Sequence, residues 1–370
     1  MKKLAVLFLV LLVVSTPAKT QQPTLRKQPL TLVSADSIHL NDFFWMLLND
    51  KVKKDHPLPS PLPYKTPKST VKTFETDLKR WNKRADSLSL VGGIGSLAKN
   101  SPMQTRSALY TFKEALRLHL LTGNGKFINV MERALYNGVC TGFFAKETEL
   151  RTEVEQISNG IAGYMYATQG ENLYANLYIQ SEAHIQTKQI DVRINQENNM
   201  PWFSSTFLKL TLSKPQHIKL HLHIPEWITD STLANHSCTG KQAKKSLLLN
   251  GKPITAIEEN GYWVIDRIWN DSDNVSLRAT MPIQRVRTNQ HRGVALQRGP
   301  FVYGLQTVGE ERKFDHATPL DVNYDKDVEH AEIISGNLLN AEGTPSRFYA
   351  VPYFLAWKKG ESPSVWLKEE

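Results

Sequence analysis

Apolar positions recur first at helical and then at strand spacing along this chain. Before either pattern begins, Lys2 and Lys3 precede an uninterrupted apolar run, Leu4 to Val14, and Thr16-Pro-Ala18 supplies small residues after it. That layout is a cleavable secretory signal, and the run is too short to span a bilayer comfortably. An apolar patch, Phe43-Phe-Trp-Met-Leu-Leu48, follows as the buried anchor of an N-terminal arm. Prolines at 57, 59, 61, 63 and 67 exclude a helix or a central strand and predict an extended linker. Val71, Phe74, Leu78 and Trp81 then carry helical spacing.

Ser101-Pro-Met-Gln104 starts the next helix, with Ser as cap, Pro in the first turn and Gln three residues on. Leu109, Phe112, Leu116 and Leu120 continue it, and Gly123 stops it. Phe127, Val130, Met131 and Leu135 mark a second helix ending near Gly138, so the two predict an αα-hairpin. After residue 160 the period falls to two. Tyr164–Thr168 and Leu173–Ile179 flank Gln169-Gly-Glu171 as a hairpin. Further strands are expected at 183–194, 205–212, 217–224, 245–249, 261–266, 274–280 and 293–297, with Asn250-Gly251 as a two-residue turn. Many short strands separated by turns predict a β-sandwich.

Composition narrows the class. The chain has 370 residues, 41% hydrophobic and 22% charged, which suits a globular protein of two or three domains. Net charge is +9, but the basic residues are dispersed. Clusters such as Lys51-Val-Lys-Lys54 lack interleaved aromatics, so no nucleic-acid partner is expected. Signal cleavage leaves no membrane segment and a secreted or periplasmic protein. Cys140 and Cys238 are the two cysteines. An oxidising compartment permits a disulfide between them, though they fall in separate predicted domains. Two cysteines alone cannot build a Cys-rich zinc site.

Five strings identify a lineage: Met131-Glu-Arg-Ala-Leu-Tyr-Asn-Gly-Val-Cys-Thr-Gly142, Asn172–Ser181, Ile224-Pro-Glu-Trp227, Gly261–Trp269 and Leu296-Gln-Arg-Gly-Pro-Phe-Val-Tyr303. In this order they resemble glycoside hydrolase family 127, which contains β-L-arabinofuranosidases, and Phe43–Trp45 is a weaker echo of the same family. The resemblance implies an (α/α)6 barrel followed by β-sandwich domains. Between Trp45 and Trp81 there is no room for a ring of twelve helices, so the chain resembles an internally truncated member. The fold expected is α+β and multidomain: a barrel remnant of αα-hairpins, an antiparallel β-sandwich and a smaller C-terminal β region. The boundaries read as signal 1–18, arm and Pro-rich linker 19–68, truncated helical domain 69–160, sandwich 161–285 and C-terminal region 286–370.

The family resemblance also implies a zinc-bound cysteine nucleophile and a glutamate acid/base. Gly92-Gly-Ile-Gly-Ser96 matches the family's entry to that site, but the acid/base segment that should follow is missing. Gln104-Thr-Arg106 aligns with the family's Glu-Thr-Cys, so Gln104 and Arg106 replace two metal ligands. An amide is a poor substitute for a carboxylate at zinc, and a guanidinium cannot ligate. The family's Cys-Cys pair belongs between the Leu135–Gly138 helix and the first sandwich hairpin, where Phe144–Ile161 contains no cysteine. No zinc cofactor is therefore expected.

The weak stand-ins are Cys140, read as a small core residue at a helix end, and Glu153 and Glu155, read as solvated loop charges. His221 and His223 share one face of a strand, which suits either two metal ligands or, preferably, a surface pair. Tyr174, Tyr178, Trp202, Trp227, Tyr262, Trp263 and Trp269 suit a sugar-stacking platform or, preferably, sandwich core. The functional expectation is a β-L-arabinofuranosidase by descent, impaired or inactive. The alternative is a non-catalytic sandwich protein that binds a glycan or another partner.

Overall fold

The structure, a computed structural model, describes residues 22–55, 57–62, 64–93, 102–198, 202, 205–229, 236–288, 291–305, 313–315, 317–326, 330–357 and 363–369. The expected signal, Ser101 and part of the Gly92–Ser96 string lie outside these residues. The fold is mixed, with six α-helices among the described residues and sheets whose pairings are antiparallel apart from one. None of these helices is long and apolar enough to cross a membrane.

The helices are α1 (Phe43–Asp55), α2 (Val71–Ala85), α3 (Pro102–Thr122), α4 (Lys126–Arg133), α5 (Thr148–Asn159) and a short α6 (Tyr353–Ala356). Thr70 caps α2 by accepting from the Thr73 N–H, as its hydroxyl predisposes it to do. Gly123, at φ +68°, ends α3 where a Cβ would be strained. The helix containing Met131 does not stop at Gly138. It loosens into a π-helical turn, Ala134–Val139, and then a 3₁₀ turn, Cys140–Phe144. The π turn is buried throughout. α5 was not expected: its Leu150, Val154 and Ile157 are buried at helical spacing in a stretch read as loop.

Two sheets form the middle of the molecule. The first runs in the order 31–32, 166–169, 172–175, 216–223, 262–269 and 257–259. Its 172–175 and 216–223 pair is parallel. The second runs 252–254, 245–249, 274–279, 205–211, 191–198, 181–186 and 38–40. The expected strand 183–194 is in fact two strands joined by a turn at 187–190. Tyr166 Oη crosses between the sheets to donate to Gln196 Oε1 at 3.0 Å. Residues 31–32 and 38–40, within the segment expected to be an arm, are strands in the first and second sheet respectively.

The C-terminal sheet is ordered 313–314, 331–339, 345–352, 301–304, 291–298, 284–288 and 236–239, with 321–325 also paired to 331–339. Residues 236–239 reach it from inside the span expected to be sandwich. The proline stretch packs against α5 as a strap. Asn159 Nδ2 donates to Pro59 O at 2.9 Å, and Leu62 and Tyr64 lie against the core.

Candidate functional site

The family strings and the candidate site residues gather in two regions: a junction where the helices meet the sheets, and a corner where α3, the 3₁₀ turn and α5 converge. At the junction, Asn137 in the π turn is completely buried. Its Nδ2 donates to Arg133 O at 2.9 Å and Pro300 O at 2.8 Å, and its Oδ1 accepts from the Val302 N–H at 2.8 Å. Arg133 Nη2 pairs with Glu226 Oε2 at 2.9 Å, both side chains being largely buried. The Glu226 N–H donates to Asn129 Oδ1 at 2.9 Å. Gly138 allows close approach, since a Cβ there would lie 2.4 Å from Ala108 Cβ and 2.7 Å from Val91 O. Phe44 fills the centre, with ring centroids 5.8 Å from Tyr136, 6.1 Å from Phe301 and 5.8 Å from Phe354. The strings around 131–142, 224–227 and 296–303, with the Phe43–Trp45 patch, thus meet in one clasp.

Two carboxyls that sequence reasoning did not single out lie in this clasp. Burial pushes Glu132 up to about 8 and Asp42 up to about 6. Asp42 nevertheless accepts from the Trp45 and Gln180 N–H groups, which tie α1 to the sandwich. Glu132 stands within the Met131-Glu-Arg133 string, so its position was visible but its burial was not.

At the corner, Thr105 and Thr141 share a hydroxyl–hydroxyl bond of 2.7 Å, and Gly142 faces Val154. Gln104 is buried here, whereas Arg106 is exposed and ion-paired with Glu147. That hydrogen bond raises the Arg106 pKa further. Cys140 is fully buried, and burial alone drives its thiol upward, away from the nucleophilic thiolate. Cys140 and Cys238 are both free. Glu153 and Glu155 are on α5 rather than on a loop. Glu153 pairs with Lys113 of α3, and Glu155 is buried beside Arg151 at 3.7 Å. Among the described residues, no three His, Cys, Asp or Glu side chains converge as a metal site would require.

The histidine pair is not on the surface. His221 is buried, stacked on Tyr174 at 4.0 Å, and its Nε2 is 2.9 Å from Asn172 Oδ1. His223 is buried near His119, and burial lowers all three: His119 to about 4, His221 and His223 to about 3. The strand faces inward at this end because the helices cover it. Of the nominated aromatics, Tyr174, Tyr178, Trp202, Tyr262, Trp263 and Trp269 are buried, and Trp227 is partly so. Tyr262 Oη donates to Asn176 Oδ1 at 2.8 Å and Trp269 Nε1 to Ile218 O at 2.8 Å, which are internal ties.

Residues 172–281 match the GH127 β-L-arabinofuranosidase middle domain, and residues 277–368 match the glycoside hydrolase family 127 C-terminal domain. Together the matches run through more than half the chain. The chain belongs to glycoside hydrolase family 127. Solved family 127 structures share its fold. One is described as a GH127 β-arabinofuranosidase: 23% identity, TM-score 0.69, covering 80% of this chain and 57% of that one. Another is a GH127 β-L-arabinofuranosidase from Geobacillus stearothermophilus T6: 21% identity, TM-score 0.66, covering 88% and 59% respectively. The chain therefore spans less than two thirds of the length of these family 127 proteins. No curated protein matches its sequence.

Proposed function

We propose that this family 127 protein is exported, descends from β-L-arabinofuranosidases that act on plant-type glycans, and has lost most or all of their catalysis. Its helices are the remainder of a barrel in this reading. The observation that carries it is the chemistry of the α3–α5 corner. The thiol present, Cys140, is buried and held protonated, and both stand-in carboxylates have cationic neighbours, Lys113 and Arg151. Retaining hydrolysis requires a nucleophile and an acid/base on opposite sides of the scissile bond, about 5–5.5 Å apart.

The zinc that the family implies does not fit this corner. An amide, a guanidinium engaged with Glu147 and one apolar-shielded thiol are not a zinc donor set.

The test is release of L-arabinose from a chromogenic β-L-arabinofuranoside by the purified mature chain, with and without added zinc, alongside elemental analysis. Background turnover and no stoichiometric zinc are expected. Turnover abolished by Cys140→Ala would restore that thiol as a nucleophile. Turnover indifferent to Cys140→Ala would direct attention to Glu153 and Glu155.

A further inference from the structure

The outer face of the seven-stranded sheet carries a cleft of 580 Å³, within the usual range for small-ligand sites of about 300–1,000 Å³. Four adjacent strands build it. Cross-strand register aligns Glu197, Phe207 and Ser276 in one row, and Glu182 with Asn195 in the next. Arg278 stands beside Ser205 at the edge. These are the solvent-facing positions of their strands, since the alternate ones, such as Ile194, Leu208 and Leu277, are buried in the core.

Phe207 is the anomaly. An outward position on a solvated sheet face is ordinarily polar, yet Phe207 is half-buried there, and among the described residues it is the one aromatic ring lining a cleft otherwise dominated by polar groups. Its cross-strand neighbour Ser276 is small, which leaves room above the ring. Around it, carboxylates accept, the guanidinium donates and side-chain amides do both, as vicinal hydroxyls require. Asn195 Nδ2 donates to Glu197 Oε1 at 3.1 Å, which orients that carboxylate.

We propose that this cleft is a binding site for a neutral glycan, with a sugar ring stacked on Phe207 and its hydroxyls bonded to Glu197, Asn195, Glu182 and Arg278. The proposal rests on the glycan reading above and names the surface that would serve it. Glu182 and Glu197 face the Arg278 guanidinium, with Lys209 beside Asn195 in the same row, so the charges nearly balance and the stacking ring and hydrogen-bonding groups point to a neutral ligand. Of the aromatics nominated from strand patterning, six are buried and Trp227 is partly so, which leaves Phe207 as the outward ring on this sheet face.

Affinity electrophoresis of the full mature chain in gels containing soluble neutral arabinan or polygalacturonate tests this. Arabinan should retard the protein through the cleft, whereas any retardation of this basic chain by polygalacturonate should be the same in Phe207→Ala. Phe207→Ala should weaken arabinan binding by about tenfold, equivalent to one lost stacking contact of about 1.4 kcal/mol. Phe207→Tyr should restore binding, and Glu197→Gln should weaken it, with unchanged thermal melts in each case. No retardation by arabinan, polygalacturonate retardation that Phe207→Ala weakens, or arabinan retardation insensitive to both Phe207→Ala and Glu197→Gln would overturn the proposal. Retardation is read without turnover, so its failure is distinct from failure of the hydrolase reading, which is scored by released sugar.

Discussion

The junction and the α3–α5 corner are built from neighbouring stretches of the same helices, yet they have kept different things. At the junction, the strings that resemble family 127 supply buried hydrogen bonds, an ion pair and an aromatic cluster between helices and sheets. At the corner, Gln104 and Arg106 stand where the family resemblance implies metal ligands, and Arg106 and the stand-in Glu153 are engaged in ion pairs between α3 and its neighbours. On the function proposed above, the fold signature and the catalytic signature have parted company. Removing a clasp residue strands several buried polar groups at once. Replacing a catalytic residue costs only the reaction, provided the new side chain finds a partner.

The largest effect expected is at the corner, in activity. If the contrast holds, β-L-arabinofuranosidase turnover stays at the buffer blank, because losing members of a catalytic unit costs about 10⁴–10⁶ in kcat. Clear sugar release would break the comparison at once.

Stability should respond at the junction instead. Arg133→Ala leaves Glu226 largely buried without its cation, a loss of about 3–5 kcal/mol for a fully buried pair and less here. Asn137→Ala strands the Pro300 carbonyl and the Val302 N–H, at about 1–3 kcal/mol for each group. Gly138→Ala drives a Cβ into Ala108 and Val91 and should cost about 1–3 kcal/mol. Urea unfolding midpoints measure all three, and wild-type midpoints for them would mean that the clasp is not a clasp.

A smaller effect is pH-dependent and runs in opposite directions for the two kinds of buried group. Glu132 has a folded pKa of about 8, above its ordinary value of 4.5. Its neutral form favours the fold at low pH, and that contribution declines as pH rises from 4.5 through 8. His119, His221 and His223 are depressed to about 4, 3 and 3 from 6.5. Their contribution is complete above 6.5 and declines as pH falls toward 3. Melting temperature against pH should therefore fall on both sides, and Glu132→Gln should flatten only the alkaline limb. An alkaline limb identical in Glu132→Gln would place the effect elsewhere.

The smallest effect is expected at Arg106. Its ion pair with Glu147 is exposed, so solvent screening leaves little to lose. Arg106→Ala should leave the melting curve unchanged, in contrast with Arg133→Ala one helix away.

Much of the strand half was legible because its period is local. Runs at 205–212, 217–224, 245–249 and 274–280 match observed strands to within a residue or so. The helical start near 101 and stop at Gly123 were legible for the same reason. α5 was missed because its four charged positions masked three buried apolar ones. The hairpin turn at 187–190 was missed because Thr187, Lys188 and Gln189 interrupt a run that otherwise alternates.

What the sequence by itself determined is the lineage, most of the succession of helices and strands, and the side chains present at the positions where the family resemblance implies a site. Those depend on residue identity and on spacing within a few positions. Only the tertiary structure decided that His221 and His223 are internal, that Glu132 is shielded from water, and that residues 31–32 and 38–40 belong to the sandwich sheets. Burial of a polar group depends on which distant segment covers it, and strand spacing is the same whether the covering layer is water or a helix.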